Sequence, residues 1–504
     1  MAAVVLLLAV TLPPKPVVIS AATVDQDLLH RTVRGAYHVH TTRSDGSEDR
    51  ASIAAAAARV GLHFIIFTDH GDGTRPPLPP EYVNGVLCLD GVEVSTNGGH
   101  YVAIDMPLAP YPLGGDAAAV VEDVARLGGF GIAAHPHHPR PALAWSDWSA
   151  PIDGIEWINL DSEWRDEGPL RLVRAAFDYL LRPAAALAAL LDRPVRTLDQ
   201  LDSLERSRSV VGLAAADAHG GVHREGERRG SSPGVGPGYE ASFRTVSNNV
   251  LLERPLNGDA SADARLVVDA IRRGRIYSVV DGIATGVVLR RGADGRFEPA
   301  SPLPEGVRVD RIDVSGRTRT EIAFPGAPGE PEVPWVLTNW SGERPLEPVP
   351  PLPERSHFQP LGLASPWRVE KDPSSSARVS TSTGATTVHY VLADGRRSQF
   401  VALAADLVPS PTYRALAFAG TAVKPMRVSV QLRFPDGSRW IKSVYMDPEP
   451  REFVIPVSEL TGATPGVSAP DPSTATSVLF VVDLVNARPE DSGSFSVLSL
   501  RRSN

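Results

Sequence analysis

Residues 64–70 are Phe-Ile-Ile-Phe-Thr-Asp-His, in which four apolar residues are followed directly by polar ones. A short apolar run of this length, bounded by polar residues, predicts a buried strand. Residues 130–134 lead into His135 in the same way, and residues 210–216 lead into Asp217. Because reactive groups gather at the carboxyl ends of parallel strands, we expect these distant residues to meet in space.

The chain contains two regions with different sequence patterns. Between about residues 30 and 285 short apolar runs alternate with helical stretches, which is typical of an α/β fold built from βα units around a parallel sheet or barrel. Beyond residue 285 helix signals vanish and alternating strands appear. We predict an N-terminal apolar segment over 1–29, an α/β domain over 30–285, a small β unit over 286–344, a linker over 345–359 and a jelly-roll-like β-sandwich over 360–504.

Composition limits the partners. The formal net charge of -9 disfavours an extended nucleic acid, which normally meets a basic face. It leaves room for a small phosphorylated substrate, because metal ions supply local positive charge. Cys88 is the only cysteine, so a disulfide within the chain and a cysteine-based zinc module are excluded.

The N-terminus carries an apolar run. Residues 2–12 are apolar apart from Thr11, which is too short a run to span a bilayer. We predict an export signal cleaved near residues 20–22, and therefore an exported or cell-envelope protein rather than a cytoplasmic one. A first strand or an arm is the alternative, and no other transmembrane span is predicted.

Side chains of metal-ligand type are concentrated in the first 219 residues. They are His38, His40, Asp45, His70, Glu93, His100, His135, Asp217 and His219. Imidazole and carboxylate are the ligands that Zn, Mn and Fe sites use, and a set this large can hold more than one ion. Cations held close together activate water and stabilise both oxygens of a phosphoryl displacement, so the set favours a metal-dependent hydrolase.

The motifs around these residues resemble one known family. They are Gly35-Ala-Tyr-His-Val-His-Thr, Ser44-Asp-Gly, Phe67-Thr-Asp-His, Gly91-Val-Glu, His135-Pro and Asp217-Ala-His. Together they resemble the PHP (polymerase and histidinol phosphatase) family over residues 34–284. The resemblance implies a distorted (β/α)7 barrel that holds two or three divalent transition metal ions.

The same resemblance implies how the ligands are shared. His38, His40, Glu93 and Asp217 would hold the first ion, Glu93, His100 and His135 the second, and Asp45, His70 and His219 the third. Glu93 and Asp217 would thus support a metal-bridging hydroxide that hydrolyses a phosphate mono- or diester. The expected activity is that of a phosphoric ester hydrolase.

Substrate contacts are harder to assign. Arg43, Arg75 and Arg140 follow ligand motifs and are candidate phosphate-binding residues, although a solvated surface arginine is an equal interpretation of each. His137 is a further candidate contact, and His137 and His138 are also rival ligands beside His135. Three other polar residues have open roles, since Asp69 could orient a ligand or cap a helix, and Glu156 and Asn159 could touch substrate or make structural hydrogen bonds.

The last 150 residues contain Trp367-Arg-Val-Glu-Lys-Asp, the strand Met426–Phe434, Phe480-Val-Val-Asp-Leu-Val-Asn and Ser492-Gly-Ser-Phe. These segments loosely resemble jelly-roll modules of the galactose-binding or carbohydrate-binding type. Trp440 and Tyr445 would contact a glycan if exposed, whereas buried they would be core residues of a sandwich. Two further functions therefore stay open. One is a metal-stabilised barrel that serves as a scaffold for a glycan-binding sandwich, and the other is a nuclease-like module.

Overall fold

The structure, a computed structural model, describes residues 12–221, 236–324, 332–341, 358–382, 384–395, 398–462 and 470–503. The chain divides into two compact units: unit 1 is Met1–Leu108 with Val121–Glu347, and unit 2 is Ala109–Val120 with Pro348–Asn504. Residues 1–11 of the predicted export segment and residues 345–357 of the predicted linker lie outside the described residues.

Short strands dominate the first two thirds of the chain. They are β1 (Val17–Val18), β2 (Thr32–Val39), β3 (Phe64–Phe67), β4 (Glu81–Val83), β5 (Val86–Thr96), β6 (Gly99–Ile104), β7 (Phe130–Ala133), β8 (Gly154–Asn159), β9 (Val211–Ala215), β10 (Ser247–Leu251), β11 (Ile276–Val279), β12 (Ala284–Thr285), β13 (Leu289–Arg291), β14 (Phe297–Pro299), β15 (Arg308–Val314), β16 (Arg317–Ala323) and β17 (Val336–Thr338).

Helices lie between some of these strands. They are α1 (Gln26–Arg31), α2 (Arg50–Arg59), α3 (Ala117–Arg126), α4 (Leu160–Arg165), α5 (Pro169–Tyr179), α6 (Pro183–Ala188), α7 (Val195–Ser207), α8 (Tyr239–Phe243) and α9 (Ala260–Arg272). None of the described helices combines the length and the apolar character that a membrane crossing requires.

One 13-stranded sheet organises unit 1. Its order is β15-β16-β17-β11-β10-β2-β3-β5-β6-β7-β8-β9, with β4 paired to β5. Strands β2, β3 and β5 are parallel neighbours, and so are β7, β8 and β9. Just beyond β9, the backbone N–H groups of Ala216 and Ala218 donate to the carbonyls of Tyr37 and His38 at 3.0 and 3.1 Å. The carboxyl ends of β2 and β9 therefore lie side by side.

The predicted (β/α)7 barrel is wrong. Of the described residues, 38% lie in strands and only 19% in helices. The physical reason is antiparallel pairing, which needs no crossover helix. Strands β5 and β6 form a hairpin, and β10 pairs antiparallel with both β2 and β11. The alternation of apolar runs was interpreted as repeated βα units, and apolar runs alone do not distinguish parallel from antiparallel neighbours.

Strand pairing crosses the predicted boundary at residue 285. Strand β17 pairs with β11 through Tyr277↔Thr338, Ser278↔Leu337 and Val279↔Val336. Strands β15 and β16 continue the same sheet. The ranges 30–285 and 286–344 thus contribute strands to one sheet, while the domain boundaries themselves stay predictions.

The sheet of unit 1 encloses a core that fixes the strand ends. Side chains from eight strands share it with the apolar side of α9, and they include Tyr37, Phe64, Ile66, Val102, Ile132, Leu213, Val267 and Ile271. Every residue of β3 and β9 is buried, as the uninterrupted apolar runs of the sequence indicate. The residues that follow these strands are consequently held in fixed positions.

Unit 2 is a β-sandwich, which confirms that part of the prediction. Its strands are β18 (Phe358–Pro360), β19 (Arg368–Lys371), β20 (Ser376–Ser382), β21 (Ala385–Val391), β22 (Phe400–Asp406), β23 (Ala415–Ala422), β24 (Met426–Arg433), β25 (Arg439–Met446), β26 (Arg451–Pro456), β27 (Ser477–Asp483) and β28 (Ser492–Ser503). One sheet has the order β20-β21-β28-β23-β26 with β18 beside β28, and the other has the order β19-β22-β27-β24-β25.

The two aromatic residues considered for glycan contact are buried. Trp440 is only 6% exposed and belongs to the core between the two sheets. Tyr445 is 8% exposed. Both belong to β25, where burial and packing explain an aromatic side chain without a ligand.

Candidate metal centre

All nine predicted ligands come together in unit 1. Each of four overlapping groups has its nitrogen and oxygen atoms within 4.8 Å of one another, an arrangement that could hold a metal ion. The groups are His40 with Asp45, His70 and His219; His38 with His135 and Asp217; His38 with His40 and Glu93; and His70 with Glu93 and His100. Their role as ligands remains a prediction, but their convergence is a property of the fold.

Glu93, in β5, lies at the centre of the cluster and is 1% exposed. Its Oε2 atom lies 3.3 Å from the Nε2 atoms of both His38 and His40, and 3.1 Å from His70 Nδ1. Its Oε1 atom lies 2.7 Å from His100 Nδ1 and 3.0 Å from His135 Nε2. The two oxygens therefore face different sets of imidazoles, which suits a carboxylate shared between two ions.

Asp217 completes the first of these sets. Its Oδ1 atom lies 3.4 Å from His38 Nε2 and 3.3 Å from His40 Nε2. The same two imidazole nitrogens face Glu93 Oε2. Two nitrogens and two carboxylate oxygens thus converge on a single point.

Asp45 lies on the more open side of the cluster, with its side chain 46% exposed. Its Oδ2 atom lies 3.4 Å from the Nε2 atoms of both His70 and His219. Its Oδ1 atom lies 3.4 Å from His40 Nδ1. Solvent and a small molecule can therefore approach the cluster from the Asp45 side.

Polar atoms of the cluster are buried without a hydrogen-bond partner, which bears on whether a metal ion fits there. His38 Nε2, His40 Nε2 and Glu93 Oε2 are buried and have no hydrogen-bond partner. Their separations of 3.3 Å exceed the usual N–H···O range. A buried polar group without a partner costs about 1–3 kcal/mol. Coordination of a divalent cation would satisfy all three atoms at once, so the donor set fits such an ion.

Backbone strain accumulates at three of the nine residues. His38, His135 and Asp217 have φ angles of 61°, 27° and 41°, in the left-handed region that non-glycine residues rarely adopt. His38 also coincides with a shift in register between β2 and β3. Each such conformation costs on the order of 1–3 kcal/mol and is typical of functional sites. The fold holds these side chains in place despite that cost.

Glu156, in β8, orients two of the histidine residues. Its Oε1 atom lies 2.6 Å from His38 Nδ1, and its Oε2 atom accepts the backbone N–H of His135 at 2.7 Å. Asn159 Nδ2 donates to Glu156 Oε2 at 2.8 Å and to Asp217 Oδ2 at 3.1 Å. Of the two roles left open for Glu156 and Asn159, these contacts match the structural hydrogen bond. The carboxylate keeps His38 Nε2 free to face the cluster.

Asp69 supports the loop after β2. It accepts the backbone N–H and the hydroxyl of Thr41, both at 2.8 Å, and the hydroxyl of Ser44 at 2.6 Å. Ser44 Oγ in turn lies 3.4 Å from His40 Nδ1. Asp69 thus acts on His40 through this loop and not by direct contact.

Tyr239 is a supporting residue that sequence reasoning missed. Its hydroxyl donates to the carbonyl of His40 at 2.9 Å and accepts the backbone N–H of Ser47 at 3.1 Å. Tyr239 is the first residue of helix α8. The only signal was an aromatic residue within a Gly-rich stretch, which does not indicate this contact.

Charges in the cluster compensate one another. Burial alone would raise the pKa of Glu93, but the charge of His38 and hydrogen bonds from His100 and His135 hold it well below its usual value. Burial likewise opposes ionisation of Asp217, and nearby imidazoles lower its pKa strongly. Both carboxylates are therefore ionised at neutral pH, as metal ligands must be.

The pKa values of the imidazoles shift in opposite directions. Burial lowers the pKa of His219, but the hydrogen bond with Asp45 and the charge of Asp217 raise it to about 9. For His40, burial and the charge of His219 outweigh the nearby carboxylates, so its pKa is lowered. A cation entering the cluster must therefore displace protons from some imidazoles and not from others.

The candidate phosphate-binding arginines have other described contacts. Arg43 Nη1 forms an ion pair with Asp90 at 2.9 Å, and Arg75 Nη1 donates to the Arg43 carbonyl at 3.1 Å. Both line a small cavity beside Gly71 and Val92. Arg140 is exposed, and its backbone N–H donates to His138 Nδ1 at 2.9 Å. Their proposed roles toward substrate stay predictions.

His137 lines a larger cavity next to the cluster. This cavity has a volume of about 280 Å³, and its walls include His135, Glu156, Asn159 and Arg196. Burial lowers the pKa of His137, so its imidazole is neutral at pH 7. The cavity is large enough for the organic part of a small ester.

Comparisons with known proteins give limited guidance. No protein-family model matches the chain. The chain is similar to an uncharacterized protein of Methanocaldococcus jannaschii, with 27% identity over 138 residues, which is 24% of this chain and 79% of that protein.

Solved structures with some similarity cover 29% of this chain. A family 11 carbohydrate-binding module from Clostridium thermocellum, in complex with a mixed-linked tetrasaccharide, has 14% identity, 95% of its own length covered and a TM-score of 0.24. An agarase has 8% identity over 29% of this chain and 24% of its own, with a TM-score of 0.22. TM-scores this low carry no argument about function.

Proposed function

We propose that unit 1 is a metal-dependent phosphoesterase that hydrolyses a phosphate mono- or diester with two or three divalent transition metal ions. The observation that carries this proposal is the convergence of nine imidazole and carboxylate side chains in four overlapping groups. Structural zinc sites use four ligands and are closed, whereas this cluster is larger and open at Asp45. An open, multi-ligand cluster suits catalysis better than structural support.

The donor groups divide naturally around Glu93. His38, His40 and Asp217 would hold one ion with Glu93 Oε2, while His100 and His135 face Glu93 Oε1. A third group would use Asp45, His70 and His219 with His40. When bound, the ions would supply Lewis-acid charge and lower the pKa of water toward neutrality.

The protein's own residues supply position and charge. Glu156 fixes the ring of His38, and Asn159 holds the outer oxygen of Asp217, so the reacting groups would not need to reorganise. The cavity beside His135 offers space for the leaving alcohol, with His137 in its wall. The phosphoryl group of the substrate would enter the cluster from the side of Asp45, whose side chain is exposed.

Hydrolysis of aryl phosphates tests the proposal. We expect the full chain, loaded with Mn, Zn or Fe, to hydrolyse p-nitrophenyl phosphate or its bis ester. His38→Ala and Asp217→Asn should each lower kcat/KM by about 100-fold or more, because each removes a donor from the central group. His30→Ala, an exposed histidine in α1, is the matched control and should leave the rate unchanged.

Two results would reject the phosphoesterase. One is the absence of hydrolysis of both esters with all three metals. The other is a rate that persists in the His38→Ala and Asp217→Asn variants at the level of the control.

For unit 2 we propose glycan binding. Its support is the two-sheet sandwich, an architecture that lectin domains also use. Because Trp440 and Tyr445 are buried, the ligand would bind on polar surface. Arg378 and Ser380 of β20 and His389 of β21 alternate with core residues and are at least partly accessible on the outer face of one sheet.

Affinity electrophoresis of the full chain through gels containing soluble polysaccharides tests this second function. We expect retardation by at least one polysaccharide, reduced in an Arg378→Ala/His389→Ala variant and retained in His38→Ala. Equal migration in all gels would reject glycan binding while leaving the phosphoesterase proposal intact.

A further inference from the structure

The cavity of about 280 Å³ in unit 1 lies directly beside the metal cluster. Its wall is formed by the loop after β7, the end of β8, helix α4 and the start of α7, and we call it the β8 cavity. His135, Glu156 and Asn159 belong both to this wall and to the cluster or its supporting contacts. An ester held at the cluster by its phosphoryl group would therefore extend its organic part into the β8 cavity.

Three polar side chains in this wall each contain a buried atom that has no hydrogen-bond partner among the described residues. The atoms are the indole nitrogen of Trp157, the hydroxyl of Ser162 and Nε2 of His137. Trp157 and Ser162 are only 0% and 8% exposed. Because buried polar groups in folded proteins nearly always have a partner, these three atoms require one that enters the cavity.

The chemistry of these atoms limits what the partner can be. The indole N–H of Trp157 only donates, whereas the hydroxyl of Ser162 both donates and accepts. Burial lowers the pKa of His137, so its neutral ring has one nitrogen of each kind. A hydroxyl group accepts and donates, and can therefore bond to all three side chains. An ammonium group cannot accept the indole N–H, and an alkyl chain can bond to none of them.

The charges in the wall do not favour an organic part of either sign. Asp192 forms an ion pair with an arginine of α5 at 3.4 Å, and Arg193 forms one with a glutamate of β16 at 2.8 Å. Asp166 and Arg196 add one charge of each sign. Burial and neighbouring carboxylates raise the pKa of Glu163 to about 8, so it is mostly protonated at pH 7 and can also donate a hydrogen bond.

We propose that the β8 cavity binds the uncharged, hydroxyl-bearing organic part of a phosphate ester, a sugar or polyol, next to the metal cluster. Trp157, Ser162 and His137 form hydrogen bonds with its hydroxyl groups. This inference rests on the proposed phosphoesterase function and names its substrate class. A site that hydrogen-bonds a substrate hydroxyl strongly rejects the analogue that lacks it, because its own polar groups then stay unpaired.

Three six-carbon phosphate esters test this selectivity. Sorbitol 6-phosphate carries hydroxyl groups, hexyl phosphate carries none, and 6-aminohexyl phosphate carries an ammonium group. We expect kcat/KM of the Zn-loaded full chain to be about 100-fold or more higher for sorbitol 6-phosphate than for the other two. Ser162→Ala removes one hydrogen-bonding atom and should reduce this preference by about tenfold. Ser203→Ala, at an exposed position of α7, is the matched control and should keep it.

Saturation-transfer NMR with sorbitol alone examines the cavity without hydrolysis. We expect transfer from the full chain to the sorbitol protons, with affinity reduced by about fivefold in Ser162→Ala and unchanged in Ser203→Ala. Trp157→Phe keeps an aromatic ring but removes the N–H, and it should have the same effect as Ser162→Ala. Circular dichroism confirms that both variants are folded.

Four results separate the two proposals. Equal kcat/KM for sorbitol 6-phosphate and hexyl phosphate, or a preference for 6-aminohexyl phosphate, would overturn the inference and leave the phosphoesterase intact. A preference for sorbitol 6-phosphate that Ser162→Ala and Trp157→Phe both keep would also overturn it. Sorbitol binding that depends on Ser162, in a chain that hydrolyses no ester, would support the cavity assignment and reject the phosphoesterase. Absence of both hydrolysis and sorbitol binding would overturn both.

Discussion

At the scale of single residues, the cluster depends on groups that orient the predicted ligands. Glu156 contacts His38 Nδ1 at 2.6 Å and the backbone of His135 at 2.7 Å, so it fixes two strained residues at once. The sequence indicated that this buried strand carboxylate lies near the site. It did not indicate its partners, because His38 lies 118 positions away in the chain.

Replacing Glu156 by glutamine tests this role. Glutamine has nearly the same shape but no charge, so His38 would be held less firmly and would be a weaker donor. We expect metal affinity to fall by about 10- to 100-fold, the usual effect of losing such a partner. Competition with a fluorescent chelator measures it. Glu305→Gln, at an exposed position, is the control, and an unchanged affinity in Glu156→Gln would contradict the role.

Protonation of His219 predicts a pH dependence. Its pKa is raised to about 9 in the folded chain, so below that pH the ring carries a proton that a metal must displace. Metal affinity should therefore rise with pH between about 7 and 9, by up to about tenfold per pH unit for each proton displaced. Calorimetric titration in buffers of different ionisation enthalpy counts the protons released. Affinity that is flat over this range would count against the assignment of His219.

At the scale of elements, the ends of strands were predictable and their directions were not. The buried runs of β3, β7 and β9 place His70, His135 and Asp217 where the sequence indicates. The β5–β6 hairpin was missed, because the apolar residues around Glu93 and the apolar run after His100 look the same in parallel and antiparallel sheets. The convergence of these side chains was therefore predictable, while the barrel was wrong.

The sandwich shows the same limit for aromatic residues. The alternation that predicted its strands does not tell which side of a strand faces the core. Trp440 packs so tightly that a Cβ added to Gly462 would lie 2.9 Å from its ring. We expect Trp440→Ala to lower the free energy of unfolding of unit 2 by about 3–5 kcal/mol. Urea denaturation measures the loss, and a stable variant with altered glycan binding would instead indicate a surface role.

At the scale of the whole molecule, metal ions should stabilise unit 1. The cluster joins residues from β2, β5, β6 and the segments after β3, β7 and β9, so an ion would link parts of the sheet far apart in sequence. We expect about 3 kcal/mol of added stability at a metal concentration of about one hundred times Kd. In thermal unfolding of the full chain, a chelator should lower the Tm of unit 1 and leave the Tm of unit 2 unchanged. A Tm for unit 1 indifferent to chelation would contradict this expectation.

Elemental analysis of the full chain, purified without chelators, tests directly whether the cluster binds metal. We predict about two to three equivalents of Zn, Mn or Fe per chain, and a loss of most of this metal in Glu93→Ala, because Glu93 faces five imidazoles of the cluster. A chain that contains no transition metal and takes up none on dialysis would contradict metal binding by the cluster. So would a Glu93→Ala variant with the metal content of the wild type.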